Sequence, residues 1–189
     1  MPRFTRAELD AFRDHELPDL VGEDVRLLFV GINPGLWTAA VQTHFAHPAN
    51  RFYPALLAGG VIERRIDPAA GMTDDDRAYF LGRRLGITNL VPRATARADE
   101  LSAAELREGG ERLTTDVARW RPAVVAVAGI TAYRAAFGIR TAKPGRQPET
   151  FAGAELWVVP NPSGLNAHET VASLGEAYRA AAQAAGILT

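Results

Sequence analysis

The sequence predicts an α/β fold, a three-layer α/β/α sandwich around a short, mostly parallel sheet. Apolar runs of strand length recur at Leu27-Leu28-Phe29-Val30, at Ala123 to Ala128 and at Leu156-Trp157-Val158-Val159, with helix-like segments between them. Strands that alternate with helices imply a parallel sheet covered on both faces. Two of the runs lead into rigid turns that carry amide side chains, Gly31-Ile32-Asn33-Pro34-Gly35 and Asn161-Pro162-Ser163-Gly164-Leu165-Asn166. In open α/β sheets, ligand sites lie beyond the carboxyl ends of the strands. Two such turns are therefore placed to face one pocket.

Arg6 to Leu17 has amphipathic helical spacing, and Arg26 to Val30 is the first apolar strand. Gly31 to Asn50 has neither helical nor strand periodicity and reads as a long functional loop. Arg51 to Ala58 is a helix closed by Gly59-Gly60, and Asp67 to Thr73 a loop. Asp74 to Arg84 is a helix whose first-turn acids suit the helix dipole. Ile87 to Val91 is a short strand before Pro92. Ser102-Ala103-Ala104-Glu105 matches a capping box and opens a helix to about Trp120. Gly109-Gly110 falls inside that helix, where each Gly costs about 1 kcal/mol against Ala, so close packing or a kink is expected there. Ala123 to Ala128 is typical of a central parallel strand, and Thr131 to Phe137 is a helix ended by Gly138. Ile139 to Glu149 is a basic loop, Leu156 to Val159 a buried strand and Glu169 to Ala184 the last helix. The chain reads as one domain over 1–189, with 1–24 as an N-terminal helical extension.

The 189 residues are 47% hydrophobic, enough for a substantial core in one domain. There is no apolar run of about 18 residues, so no membrane span is expected. The first twenty residues lack a signal-peptide core, which predicts a cytoplasmic location. The absence of cysteine excludes disulfides, thiolate-held iron–sulfur clusters and a Cys nucleophile. The net charge of −1 does not advertise a nucleic-acid binder, but a local basic stripe suffices for one. Lys143 is the only lysine and sits in a loop-like stretch, a poor place for a Schiff base.

No phosphate loop, dinucleotide fingerprint or Gly-x-Ser-x-Gly elbow is present. His44 and His47 lack a matching carboxylate or third histidine, so they read as loop-orienting residues and no metal is expected. His15 and His168 read as surface or cap residues.

Taken together, the two turns, Phe45-Ala46-His47-Pro48-Ala49-Asn50-Arg51-Phe52, Gly86-Ile87-Thr88-Asn89-Leu90-Val91 and Gly109-Gly110 resemble the mismatch-specific uracil/thymine-DNA glycosylase family of the uracil-DNA glycosylase superfamily. The likeness runs from about Val25 to Tyr178. It implies hydrolysis of the N-glycosidic bond of uracil and related damaged pyrimidines in DNA, favouring mismatches with guanine, without metal or organic cofactor. It implies a uracil-DNA glycosylase-like sandwich, and uracil-containing double-stranded DNA as partner. A nucleoid-associated monomer is expected, whose product passes to an abasic-site endonuclease.

By this resemblance Asn33 positions the attacking water. An amide is a poor proton acceptor, so it aligns water without acting as a strong base. Slow turnover is the expectation. Phe45 is the stacking platform for a flipped base, and Phe52 reads as core. Ile32 offers backbone polar groups, Gly35 and Thr38 line the pocket, and Thr38 lies near the pyrimidine 5-position. Asn89 falls at a variable pocket position, where an amide suits a uracil edge. Asn161 helps to bind base or backbone, although Asn before Pro also caps turns.

Gly164, Leu165 and Asn166 match the family's intercalating wedge: Gly164 for close approach, Leu165 as the apolar plug, Asn166 toward the orphaned guanine. This chain has Asn166-Ala167-His168 where the family often carries a small polar residue and then a basic one. Arg93, Arg97 and the loop Arg140 to Arg146 are candidate phosphate contacts. Three alternatives stand beside this reading: a broad uracil glycosylase acting also on A·U pairs and single strands, a non-catalytic binder of damaged DNA, and a serine hydrolase using Ser163.

Overall fold

The computed structural model describes residues 4–189; the first three residues of the expected N-terminal extension lie outside the described residues. Strands β1 (Leu27–Gly31), β2 (Leu85–Asn89), β3 (Val124–Ala128), β4 (Gly145–Phe151) and β5 (Ala154–Val159) form one sheet in the order β2-β1-β3-β5-β4. All neighbours are parallel except β4, which runs antiparallel to β5. The helices are α1 (Arg6–Asp10), α2 (Leu36–Ala40), α3 (Phe52–Ala58), α4 (Asp74–Gly82), α5 (Ala103–Trp120), α6 (Ile130–Phe137) and α7 (Val171–Ala184).

Side chains on a strand alternate between faces, and that alternation builds the three layers. Leu27 and Phe29 of β1 join a core cluster with Phe52, Tyr53, Phe80, Leu174 and Tyr178 from α3, α4 and α7. Leu28 and Val30 join the opposite cluster with Leu113, Val117 and Tyr133 from α5 and α6. β1, β2 and β3 are buried at every position, as strands covered on both faces must be.

The two glycines inside α5 have a packing cause. A Cβ on Gly109 would lie 2.2 Å from the Leu90 carbonyl oxygen, and one on Gly110 would lie 3.0 Å from that of Ala136. The helix backbone therefore rests directly on the exit of β2 and on α6. Arg112, one turn on from Glu108, donates from Nη2 to the carbonyls of Asn89 at 2.6 Å and Leu90 at 3.2 Å. α5 thus clamps the end of β2 where it meets the cleft described below.

Several elements depart from the sequence reading. The expected helix over 6–17 is only α1, opened by a Thr5/Glu8 capping box. Asp14 then adopts a left-handed φ of 61° and the chain turns into an extended segment. Leu20 exchanges backbone hydrogen bonds with Ile87, so the N-terminal segment covers the free edge of β2. The stretch 31–50 is not all loop, because α2 occupies one turn of it. β2 starts two residues earlier than expected and ends at Asn89, after which Leu90 and Val91 donate to Gly31 and Ile32 carbonyls. The basic stretch 139–149 contains most of β4, a bulged edge strand that accommodates Pro148.

The chain leaves β1 toward β2 and returns past it to β3, so the strand order reverses between β1 and β3. The crevice at such a reversal, outside the carboxyl ends of the strands, is where open α/β sheets bind ligands.

Candidate active site

A cleft of about 680 Å³ opens at that crevice. It is lined by Ile32, Asn33, Gly35, Thr38, Phe45, Asn89, Asn161, Gly164 and Leu165. The structure thus brings together nine of the ten site residues named from the sequence; Asn166 is not among the lining residues. Among the described residues, Asp10 is the one carboxylate in the lining, and no group of three or more His, Asp or Glu is placed to hold a metal ion.

Asn33 sits in the turn after β1, with its side-chain orientation fixed by acceptors. Nδ2 donates to the Arg93 carbonyl at 3.1 Å and to Thr95 Oγ1 at 2.7 Å. The Thr95 hydroxyl donates onward to the Arg97 carbonyl at 2.8 Å, so its oxygen is left to accept from Asn33. Both amide protons are engaged, and Oδ1 is the end left for a ligand or water. Such an end accepts a proton's hydrogen bond but does not take the proton.

Asn89 ends β2 opposite Gly31 in the parallel register. A Cβ on Gly31 would lie 2.4 Å from Asn89 Oδ1 and 3.2 Å from Phe45 Cζ, so only glycine lets both side chains reach this point. Asn89 Nδ2 lies 3.2 Å from Nδ1 of the buried His44, whose Nε2 lies 3.0 Å from the Pro18 carbonyl oxygen. Burial lowers the His44 pKa to about 4, with Arg77 adding to the shift and the Pro18 carbonyl opposing it. The ring is neutral at physiological pH.

Phe45 holds a left-handed φ of 54°, a conformation costing on the order of 1–3 kcal/mol for a non-glycine residue. Its ring stacks on Phe52 at 4.2 Å between centroids and 24° between planes. Phe52 is in turn buried against Phe29 and Tyr178. The core thus backs the Phe45 ring in the cleft wall. Thr38 is buried on α2, and Gly35 caps that helix without a side-chain hydrogen bond.

The turn after β5 forms the opposite rim. Asn161 Oδ1 accepts from the Ser163 amide at 2.9 Å, the Asx geometry of a turn-forming asparagine. Ser163 Oγ accepts from the Leu165 amide at 3.3 Å, and among the described residues no histidine or carboxylate hydrogen-bonds to it, which leaves the serine-hydrolase reading without a base. Leu165 is 93% exposed, the only large apolar side chain among the described residues so fully in solvent. Asn166 Nδ2 donates to the Asn161 carbonyl at 3.0 Å and its Oδ1 accepts from the His168 amide, so this side chain braces the loop.

The residues matching the model of the Uracil DNA glycosylase superfamily are 18–184. The chain belongs to that superfamily. A solution NMR structure of a candidate uracil DNA glycosylase from Methanosarcina acetivorans superposes on it with a TM-score of 0.60. The two share 16% sequence identity, and the match covers 88% of this chain and 96% of that one. At that identity the likeness is one of fold, and it agrees with the three-layer sandwich. The superfamily segment holds every cleft residue except those on α1, where Arg6, Leu9 and Asp10 add to the lining.

Sequence reasoning missed several residues of this glycosylase-superfamily cleft. Thr95 follows no periodic segment and nothing near it signals a partner for Asn33. Arg51 lies within a motif that was noticed, but its task was not legible. Its guanidinium donates to the carbonyls of Ser163 at 2.6 Å, Asn166 at 2.7 Å and Glu169, three points of the exposed loop. The candidate phosphate contacts fare unevenly. Arg93 pairs with Asp14 and Glu105, Arg97 with Asp99 and Arg146 with Glu155. Arg140 and Lys143 form no ion pair among the described residues.

Proposed function

We propose that the protein is a monofunctional, mismatch-type uracil-DNA glycosylase that flips uracil from a G·U pair and hydrolyses its N-glycosidic bond. The observation that carries this reading is the Asn33 amide, held by two acceptors so that its oxygen is the free end in the cleft. A water accepted there attacks the sugar C1′. The C1′–O bond forms as the C1′–N1 bond breaks, the electron pair leaves with the base, and the proton of the water passes to solvent. Among the described residues no carboxylate hydrogen-bonds to Asn33, so in this reading alignment and electrostatic stabilisation carry the rate, and slow turnover follows.

The other parts support the same reading. Phe45, backed by Phe52, offers a ring face to a flipped pyrimidine, where stacking is worth about 1–3 kcal/mol. Asn89 offers an oxygen and one N–H to a uracil edge, while Ile32, Gly35, Thr38 and Asn161 complete the pocket. Leu165, held out on an anchored loop, suits the hole left in the base stack, with Gly164 close to the duplex. Lys143 is not among the cleft residues, which supports base removal without strand cleavage. The abasic product passes to an endonuclease for such sites. We extend the reading to a monomeric single domain at the nucleoid.

One observation favours a broader enzyme that also acts on A·U pairs and single strands. One N–H and the oxygen of the Asn166 amide already serve its own loop, so the side chain is held there rather than free to turn toward a guanine, with one N–H left over. Single-turnover base release from G·U, A·U, single-strand U and G·T oligonucleotides, with Asn33→Ala as control, decides. Release confined to G·U and abolished in the variant is the expected result. Release from every uracil substrate establishes the broader enzyme. Tight binding without release leaves a non-catalytic binder of damaged DNA.

A further inference from the structure

His44 is a buried polar side chain that the chemistry above does not use. Its Nε2 lies 3.0 Å from the Pro18 carbonyl oxygen. A carbonyl only accepts, so Nε2 carries the ring proton and Nδ1 presents a lone pair. Asn89 lies 3.2 Å from that lone pair, and only its amide nitrogen makes a hydrogen bond there. The opposite orientation would set the amide oxygen against Nδ1, lone pair to lone pair, in a buried place where that repulsion is weakly screened. The orientation puts Oδ1 above Gly31, in the space a Cβ would have occupied. Among the described residues Oδ1 and the second N–H have no hydrogen-bond partner, and Asn89, though only 5% exposed, borders the cleft.

We infer that His44 is a positioning residue that fixes which end of the Asn89 amide a base in the cleft meets. The inference rests on the uracil-glycosylase reading for its consequence, though not for its geometry. A uracil edge offers a ring N–H beside a carbonyl oxygen; a cytosine edge offers a bare ring nitrogen beside an amine. An amide held in one orientation complements one of these edges, whereas an amide free to turn over complements either. The ligand class this selects is a pyrimidine with an imide edge.

Two substitutions separate positioning from mere support. His44→Asn keeps an acceptor near the position of Nδ1 and gives up the bond to Pro18. His44→Gln keeps a donor within reach of Pro18 and gives up the acceptor for Asn89. Single-turnover uracil release at neutral pH should fall at least tenfold in His44→Gln and stay within about threefold of wild type in His44→Asn, where 1.4 kcal/mol corresponds to tenfold. The reverse order, equal losses or no loss in either would overturn the inference. Nitrogen-15 spectra of the imidazole provide a readout independent of activity. Protonated Nε2, bare Nδ1 and slow Asn89 amide rotation that is lost in His44→Gln are expected; a protonated Nδ1, or rotation unchanged in that variant, would overturn it. If the wild type releases no uracil, the glycosylase reading fails, and these spectra still decide the positioning.

Discussion

In the proposed mechanism the Asn33 amide presents its oxygen to water, and its neighbours hold it in that orientation. The Arg93 carbonyl and Thr95 hydroxyl take both N–H groups, so turning the amide over would set oxygen against oxygen. Thr95→Val keeps the shape and removes one acceptor. The loss of a hydrogen bond of about 1 kcal/mol predicts a roughly fivefold fall in single-turnover release and a similar small fall in stability. An unchanged rate would mean that Arg93 alone holds the amide. The place of Asn33 beyond a strand end was legible because a strand running into a Gly/Pro turn is a local pattern, while the role proposed for it rests on the family resemblance of the motifs taken together. Thr95 was not, because its partner is 62 residues away and a lone threonine after Pro92 and Arg93 carries no spacing signal. Arg93 drew notice for its charge, yet it reaches Asn33 through its backbone carbonyl, and its guanidinium is occupied by Asp14 and Glu105.

At the scale of elements, the exposed loop after β5 depends on a residue from another segment. Arg51, at the start of α3, fastens three of the loop's carbonyls, and its amide donates to the Pro162 carbonyl at 3.0 Å. A Cβ on Gly164 would lie 2.7 Å from the Ala49 carbonyl oxygen, so the loop also packs directly on the segment before α3. Arg51→Ala should therefore act like Leu165→Ala, lowering release from G·U duplex about tenfold or more, and the two substitutions together should cost little more than either alone. Arg51→Lys should not restore it, since one ammonium lacks the planar fork that meets several carbonyls at once. Additive losses in the double variant would separate Arg51 from the loop's task. The buried strands and the well-capped α5 were readable because their patterns are local. α2 was not, because it is one turn long and starts at Gly35 without a side-chain cap. β4 was hidden because an edge strand paired on one side only tolerates Pro148, Glu149 and Arg146, which read as loop chemistry.

For the whole molecule, the sequence indicated layers but not strand order, because order depends on which helices cross which face. The reversal between β1 and β3 is what gathers Asn33, Asn89 and Asn161 from strands far apart in the chain. The N-terminal segment that covers β2 also places the Pro18 carbonyl against His44, so edge protection and cleft geometry share a contact. The burial of His44 at this contact makes global stability pH-dependent. His44 has a pKa of about 4 when folded, lowered chiefly by burial, against about 6.5 unfolded. Between those values the unfolded chain binds a proton that the folded chain does not, so stability falls as pH falls from about 6.5 to about 4 and is fully present above that window. The loss is on the order of 3 kcal/mol, from 1.36 kcal/mol per pKa unit. Asp19 acts with the opposite sign, because burial raises its carboxyl pKa and folding there favours the protonated form. Glu105 is held down to about 2 by Arg93 and the Ser102 cap, so the stability it contributes is lost as pH falls from about 4.5 to about 2, at and below the lower end of the window. Urea midpoints at pH 4.5 and 7 for the wild type and His44→Asn isolate the histidine, since the other groups are common to both. The wild type should lose clearly more stability than the variant on acidification. Equal losses would place the acid sensitivity in the carboxylates and leave His44 without a part in it.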